Sequence, residues 1–436
     1  MPQRSRRHGR IRTTAITSAT LAALAATTAL TAPTSQAAAS APEAPSAPEA
    51  RTVPSAPPEG KDWVVSLGDS FISGEAGRWA GNTDANPANF PRVDALGPSA
   101  YHDAPGRGGE RVEGCHRARS AEIHLGLDGV GSENLACSGA RTYSFKNGKG
   151  RSKPGLDFSD AAGTPGQARQ LADFARKHKV RMVTVSIGGN DFGFAPVIKS
   201  CVLAYLSPLP KSCSREPANI ARFSAESTRA RAADIAGGLR NIRKAMRQAG
   251  YEDGQYEVVV QNYPSPIPPA SGFRYPSPMG ARQALGGCAF TDRDADWAVN
   301  TVMPTVSRAV RKGLADSGLP NAHFLDLSGA LDGHRLCEKG VGLVEPLRGT
   351  VGTWKAPDAA DRTEWVNWVR TITAVLPPFQ AQEGLHPNYW GQLAMRNCLR
   401  QTFAALDAAR PAPDSLTCVG GGKGLTERGE PRMRLT

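Results

Sequence analysis

Four short stretches carry residue types suited to acyl-transfer chemistry, each beside an apolar run. Gly68-Asp69-Ser70-Phe71 follows the run WVVSLG. A serine behind a glycine at a strand-to-helix junction stands exposed at a sheet edge. The helix start beside it offers a free backbone N–H and the positive end of the dipole. Those are the needs of a nucleophile that stabilises an oxyanion next to itself. Taken alone, such a triplet is more often a turn with an N-cap serine. Gly188-Gly189-Asn190-Asp191 follows the run VRMVTVSI. Its glycines let backbone approach a ligand, and an asparagine can aim its amide N–H at a developing negative oxygen; a glycine-rich turn is the plainer alternative. Ala136-Cys137-Ser138-Gly139-Ala140 offers the Gly139 N–H at a position where no side chain blocks approach. Glu383-Gly384-Leu385-His386-Pro387-Asn388 brings an imidazole, with a carboxylate three residues earlier that can turn back to hold its tautomer. The remaining histidines of the folded part (102, 116, 124, 178, 323 and 334) read as structural.

The elements that must position these groups follow from hydrophobic pattern. WVVSLG, ENLAC, VRMVTVSIGG, YEVVVQNYP and HFLDLS are short, nearly continuous apolar runs, as expected of parallel strands covered on both faces. Between them, Ile235, Leu239, Ile242, Met246 and Ala249 recur at helical spacing up to Gly250, and Val299, Val302, Val306, Val310 and Leu314 do so up to Gly318. Alternating strands and helices predict a three-layer α/β/α sandwich around a central, mainly parallel five-stranded sheet with right-handed crossovers. Large Gly-, Pro- and Asn-rich loops over 76–119, 146–165 and 264–287 fall after strand ends, where they frame a ligand crevice.

Taken together and in this order, GDSFISGE, NLACSGA, SIGGND and EGLHPN resemble the four signature blocks of the SGNH (GDSL) hydrolases, in particular the secreted actinobacterial esterases, lipases and phospholipases. The resemblance runs from about Trp63 to Leu406. It implies the SGNH fold and a carboxylic ester hydrolase, with lipid acyl esters as substrate and acetyl or feruloyl groups on polysaccharide as the alternative. It implies Ser70 as nucleophile, His386 as base and then acid, and an oxyanion hole made of Ser70 N–H, Gly139 N–H and the Asn190 side chain. Glu383 stands where many relatives have aspartate; either its side chain or a main-chain carbonyl orients His386. Phe71 replaces the usual leucine of the first block. Asp69 and Asp191 read as loop-fixing acceptors. No metal or organic cofactor is implied. A non-catalytic binding protein on a decayed scaffold is the rival from another class.

The rest of the chain bears on location and stability. Residues 1–39 have a basic start at Arg4, Arg6, Arg7, Arg10 and Arg12, an apolar Ala/Thr/Leu run and small residues at 37–39, which is the order of a signal peptide. Residues 40–60 form an Ala/Pro-rich linker, 61–418 the catalytic domain and 419–436 a Gly-rich tail without apolar pattern, expected to be disordered. The net charge of +12 includes the five leader arginines, with no Asp or Glu in 1–39, so the exported chain carries +7. Charges are interspersed, and no nucleic-acid motif occurs; peripheral contact with lipid surfaces and a monomeric state are expected. Eight cysteines in a secreted context favour disulfides between sequential neighbours: Cys115–Cys137, Cys201–Cys213, Cys288–Cys337 and Cys398–Cys418. Absence of C-x-x-C and H-E-x-x-H spacing argues against zinc. Trp354, Trp365 and Trp368 fall before the histidine block, as local packing or as a cap on the pocket. Phe71, Ile72, Trp79, Phe192 and Phe194 are candidates both for an acyl-chain wall and for core.

Overall fold

Alternation of buried side chains along each strand sets the layers. The structure, a computed structural model, describes residues 56–209, 211–277, 280–371, 376–408 and 412–436, all within one compact unit, Thr52–Thr436. The expected signal peptide and most of the linker lie outside the described residues. Seven strands form one sheet: β1 (Asp62–Gly68), β2 (Val130–Asn134), β3 (Lys179–Ser186), β4 (Glu257–Gln261), β5 (Ala322–Asp326), β6 (Ser415–Leu425) and β7 (Pro431–Leu435). Their spatial order is β2-β1-β3-β4-β5-β6-β7. Every neighbouring pair is parallel except β6 with β7.

The helices that matter here are α1 (Ser70–Ser73), α2 (Gln167–Ala175), α3 (Gly189–Phe192), α4 (Phe194–Leu206), α5 (Pro217–Arg222), α6 (Ala225–Gln248), α7 (Ala281–Gly286), α8 (Met303–Ser317) and α9 (Tyr389–Ala408). Val65, Val183, Val258 and Phe324 point to one face, where they pack with Leu171 of α2, Ile235, Leu239 and Ile242 of α6, and Val306 and Val310 of α8. Their strand neighbours Val64, Met182, Val259 and Leu325 point to the other, against Leu393, Ala394, Leu399 and Leu406 of α9. Two cores on two faces make the three-layer α/β/α sandwich. The apolar stripe expected over 235–249 is fully buried in α6. That over 299–314 straddles a π-helical turn, Ala298–Val302, before α8 begins.

Three expectations change. The sheet has seven strands rather than five, because the chain end adds two. Residues 419–436, expected to be a disordered tail, instead complete β6 and form β7. Leu416, Cys418 and Met433 are buried against the α9 layer, and Cys418 is bonded to Cys398 of α9. The glycine run 420–422 hides this strand from a pattern search, since it offers no side chains to alternate. Finally, β2 lies upstream of ENLAC: its paired residues are Val130–Asn134, and Leu135 and Cys137 continue only as single hydrogen bonds to Ser66 and Gly68.

All four disulfides join the sequential neighbours. Trp365 and Trp368 are buried and Trp354 lies against Tyr389 and Trp390, so this segment is packing. Cys398–Cys418 closes a loop of 20 residues that carries the end of α9 into β6. Replacing both cysteines by serine is expected to lower stability by about 2–4 kcal/mol in reversible denaturant unfolding; an unchanged midpoint would mean that β6 and β7 are held by the sheet alone.

Candidate active site

The carboxyl ends of β1, β2 and β3 deliver three of the four motifs to one edge of the sheet, and the loop before α9 brings the fourth. Gly68 ends β1 at φ 125°, with Ser186 beside it so closely that a Cβ would sit 2.0 Å from the Ser186 carbonyl oxygen. Only glycine lets the two strands approach this closely here. Gln167 of α2 then clamps this residue from both sides: it accepts from Gly68 N at 2.7 Å and donates to Gly68 O at 2.9 Å. Asp69 caps α1 by accepting from Phe71 N at 3.2 Å, and its other oxygen accepts from Tyr263 Oη at 2.5 Å. Ser70 begins α1, with its side chain turned toward the histidine loop.

Ser70 Oγ lies 2.7 Å from His386 Nε2. His386 Nδ1 lies 3.1 Å from Gly384 O. A carbonyl accepts only, so Nδ1 carries the proton and Nε2 presents its lone pair to the hydroxyl. This is the arrangement of a hydroxyl poised to lose its proton to a base. The loop is held tightly. Leu385 takes φ 63°, a left-handed backbone that costs energy in a leucine. Leu385 N donates to Asn367 O, and Asn367 N donates to His386 O at 2.9 Å. Phe71 flanks the imidazole at 5.2 Å between ring centres.

Glu383 is the correction to the sequence reading of this loop. Its carboxylate faces away from His386 and is fully buried. It accepts from Trp79 Nε1 at 2.9 Å, from Tyr101 Oη at 2.7 Å and from Gln380 N at 3.0 Å. Those donors occupy its lone pairs, and the tight turn puts the Gly384 carbonyl, not the carboxylate, under Nδ1. Burial, reinforced by the charge of Glu75, pushes Glu383 up to about 7.

Gly139, at φ 79°, follows the Cys115–Cys137 disulfide. Lys153 Nζ fixes the turn by donating to Gly114 O and Ser138 O, each at 2.6 Å. Among the described residues the backbone N–H groups of Ser70 and Gly139 donate to no protein acceptor. Asn190, the second residue of α3, spends one amide hydrogen on Ala140 O at 3.0 Å and keeps the second. Asp191 ties this turn to the Gly139 loop by accepting from Thr142 Oγ1 at 2.8 Å and Thr142 N at 3.2 Å.

Several residues of the site were not singled out in the sequence. Tyr263, two positions beyond β4, accepts from Gly189 N at 3.0 Å while donating to Asp69, so it couples the serine turn to the asparagine turn. Its place just past the carboxyl end of a strand was the available signal. Glu75 lies one turn past Ser70, its N–H on Ser70 O, and its buried carboxylate receives His116 Nδ1 at 2.8 Å and the Ser138 hydroxyl. Burial raises Glu75, but the facing His116 outweighs it and holds the acid below its ordinary value. Tyr101 stacks on His116 at 4.7 Å and reaches Glu383, closing a buried Glu75–His116–Tyr101–Glu383 layer under the site. Of the five aromatic and apolar candidates for a pocket wall, Ile72, Trp79 and Phe192 are core; Phe71 and Phe194 flank Tyr263 near the site.

A cavity of about 430 Å³ opens at the opposite edge, lined by Pro57, Lys179, Arg181, Tyr251 and Tyr256 at the start of the strands. It meets none of these groups. Among the described residues no cluster of His, Cys, Asp or Glu could hold a metal ion, and no helix is long and apolar enough to cross a membrane.

No family model and no curated protein matches the chain. Among solved structures, it is similar to an extracellular lipase from Streptomyces rimosus, with 19% identity, 76% of this chain and 94% of that one covered, and a TM-score of 0.39. A phospholipase A1 from Streptomyces albidoflavus NA297 gives 20%, 77%, 95% and 0.39. A family two carbohydrate esterase from Cellvibrio japonicus gives 11%, 79%, 62% and 0.31.

Enclosure in protein lowers the His386 pKa, and the Glu75 charge pulls it back upward. His386 is therefore expected to lose its proton below the ordinary histidine value near 6.5, leaving the imidazole neutral at pH 7. Glu75→Gln removes an attraction for the imidazolium, so the titration should move further down in pH. An NMR titration of the ring proton checks both; a midpoint that rises in Glu75→Gln contradicts the assigned field.

Proposed function

We propose that this protein is an exported serine ester hydrolase of the SGNH type, acting on acyl esters of lipids by a two-step acyl-enzyme mechanism. The observation that carries the reading is the 2.7 Å contact of Ser70 Oγ with Nε2 of His386; the second amide hydrogen of Asn190, left over after its bond to Ala140 O, supports it. In the first step Ser70 Oγ attacks the ester carbonyl carbon while His386 Nε2 takes the hydroxyl proton. The carbonyl π electrons move onto oxygen, which Ser70 N–H, Gly139 N–H and the free Asn190 amide hydrogen stabilise. Collapse expels the alkoxide, which leaves as an alcohol with the proton from His386. Water then attacks the acyl-serine, His386 takes its proton, and the acid is released with Ser70 restored. No metal or organic cofactor takes part.

The imidazolium formed in each step needs a counter-dipole. Gly384 O supplies it at Nδ1, and the buried charge of Glu75 adds to it from beneath. A side-chain carboxylate on Nδ1 is thus no part of the proposal, and Glu383 serves to hold the turn. Export accords with the four disulfides, which persist outside the reducing cytosol.

Ser70→Ala is expected to abolish hydrolysis of p-nitrophenyl esters and labelling by a fluorophosphonate; full activity in that variant removes the reading. Asn190→Ala should lower kcat by ~10²–10³ with little change in KM. Glu383→Gln should cost less than about tenfold in kcat, against the ~10⁴ typical where a triad carboxylate is neutralised; a loss of that larger size would return the carboxylate to the mechanism. A series of ester chain lengths beside acetylated xylan tests the lipid assignment. Preference for the acetylated polymer would replace lipid by carbohydrate esters while keeping the same chemistry.

A further inference from the structure

The α4 helix grows directly out of the Asn190 turn, with Gly193 as its N-cap. Its inward face buries Val197, Cys201 and Ala204. A surface helix of this kind ordinarily turns polar residues outward. Here the outward positions are Ala195, Pro196, Lys199, Leu203 and Leu206, followed by Leu209. Leu203 is 59%, Leu206 47% and Leu209 66% exposed. Neighbouring elements extend the apolar surface. Ser200 of α4 donates to Glu216 and accepts from Asn219, which places α5 alongside, with Ile220 56% exposed. Tyr205 Oη accepts from Arg282 N at 3.2 Å, which places α7 alongside, with Leu285 39% exposed. The Cys201–Cys213 disulfide pins the loop that carries Leu209, so the exposed leucines stand on a fixed frame.

Charge identifies what covers this face. Lys199, Lys211 and Arg215 are exposed around the leucines, against one exposed carboxylate, Glu216, on the same face, and among the described residues none of the three is in an ion pair. Aliphatic side chains on a convex helix, ringed by free cations, fit the boundary of an anionic bilayer: the leucines enter the acyl region and the cations meet the headgroups. A helix rise of 1.5 Å per residue puts Leu203 and Leu206 roughly 14–18 Å beyond Phe194, the first residue of α4. A bilayer seated on α4 therefore lies within one lipid length of the crevice.

We propose that the outward face of α4, with Leu209 and Ile220, is the surface on which this protein docks to anionic lipid membranes. The proposal deepens the lipid-ester reading of the Ser70 site and rests on it for its purpose, but docking itself needs no turnover. The test uses the mature chain and sedimentation with vesicles of phosphatidylcholine, with and without phosphatidylglycerol. The wild type and Ser70→Ala should both sediment with the anionic vesicles and far less with the neutral ones. Leu203→Asp with Leu206→Asp should weaken binding by about tenfold or more, while hydrolysis of soluble p-nitrophenyl acetate stays at the wild-type rate and certifies the fold. Lys199→Glu with Lys211→Glu should erase the preference for the anionic vesicles. A wild type that stays in the supernatant, or a leucine variant that binds as well as wild type, overturns docking and leaves the hydrolase reading standing. Binding by a protein without esterase activity has the opposite consequence. A wild-type dimer that the leucine variant converts to monomer in sedimentation velocity assigns the face to a second copy and also overturns the proposal.

Discussion

The hydrogen bond between Ser70 and His386 joins segments 316 positions apart, and neither segment would hold its half in place alone. The serine sits on a helix of one turn, the histidine after a leucine in left-handed backbone. A hydrogen bond of this kind contributes about 1 kcal/mol net, too little to order two loops. The order comes from the buried polar groups behind it. Gln167 locks Gly68, Asp69 and Tyr263 lock the serine turn to Gly189, and Asn367 brackets His386 from both sides. A further clamp comes from α9, where Gln392 donates to Phe71 O at 2.8 Å and accepts from Glu122 N at 3.2 Å. Each group is buried, so leaving any of them unpaired costs more than the Ser70–His386 bond gains.

That division explains what the sequence disclosed. The strands and the two long helices were legible because burial on two faces writes a continuous apolar run, and burial on one face writes a 3.6-residue stripe. The four motifs were legible because they end strands. Gln167, Tyr263, Gln392 and Glu75 were not, since a single polar residue in a helix or after a strand looks the same whether it faces water or clamps a backbone. The choice between Glu383 and a main-chain carbonyl as the partner of His386 stayed open for a related reason. Spacing put a carboxylate within reach of the imidazole, but Trp79 and Tyr101, distant in sequence, compete for its oxygens. The chain end was misread because β6 pairs through backbone, which glycines satisfy without leaving a hydrophobic trace.

The electrostatics beneath the site follow from the same competition. Two carboxylates, Glu75 and Glu383, are buried under one imidazole. Like charges that close raise each other's pKa unless a cation intervenes. His116 is that cation for Glu75 and holds it ionised, while Glu383 is pushed to about 7 and relies on three donors. Burial also raises His116 cost as a cation, yet its pKa moves up because Glu75 faces it. The pair's contribution to stability is therefore full between 4.5 and 6.5, and is lost as pH falls below 4.5 through the lowered Glu75 value or rises above 6.5 through the raised His116 value.

In the proposed mechanism, a serine–imidazole pair without a carboxylate on Nδ1 places the burden of stabilising the imidazolium on fixed dipoles and a charge held at a distance. Such a field is weaker per group than a direct ion pair, but it needs no reorganisation when the proton arrives, because the Gly384 carbonyl is immobilised by its turn and Glu75 by His116 and Ser138. It also leaves the histidine loop free of a charged side chain that would have to be desolvated beside the crevice. The acid that the loop does carry, Glu383, is turned inward to brace Trp79 and Tyr101. The loop's two demands, a rigid turn and an available imidazole, are thereby met by different residues, and that separation is what lets a turn of six residues serve a site assembled from the whole length of the fold.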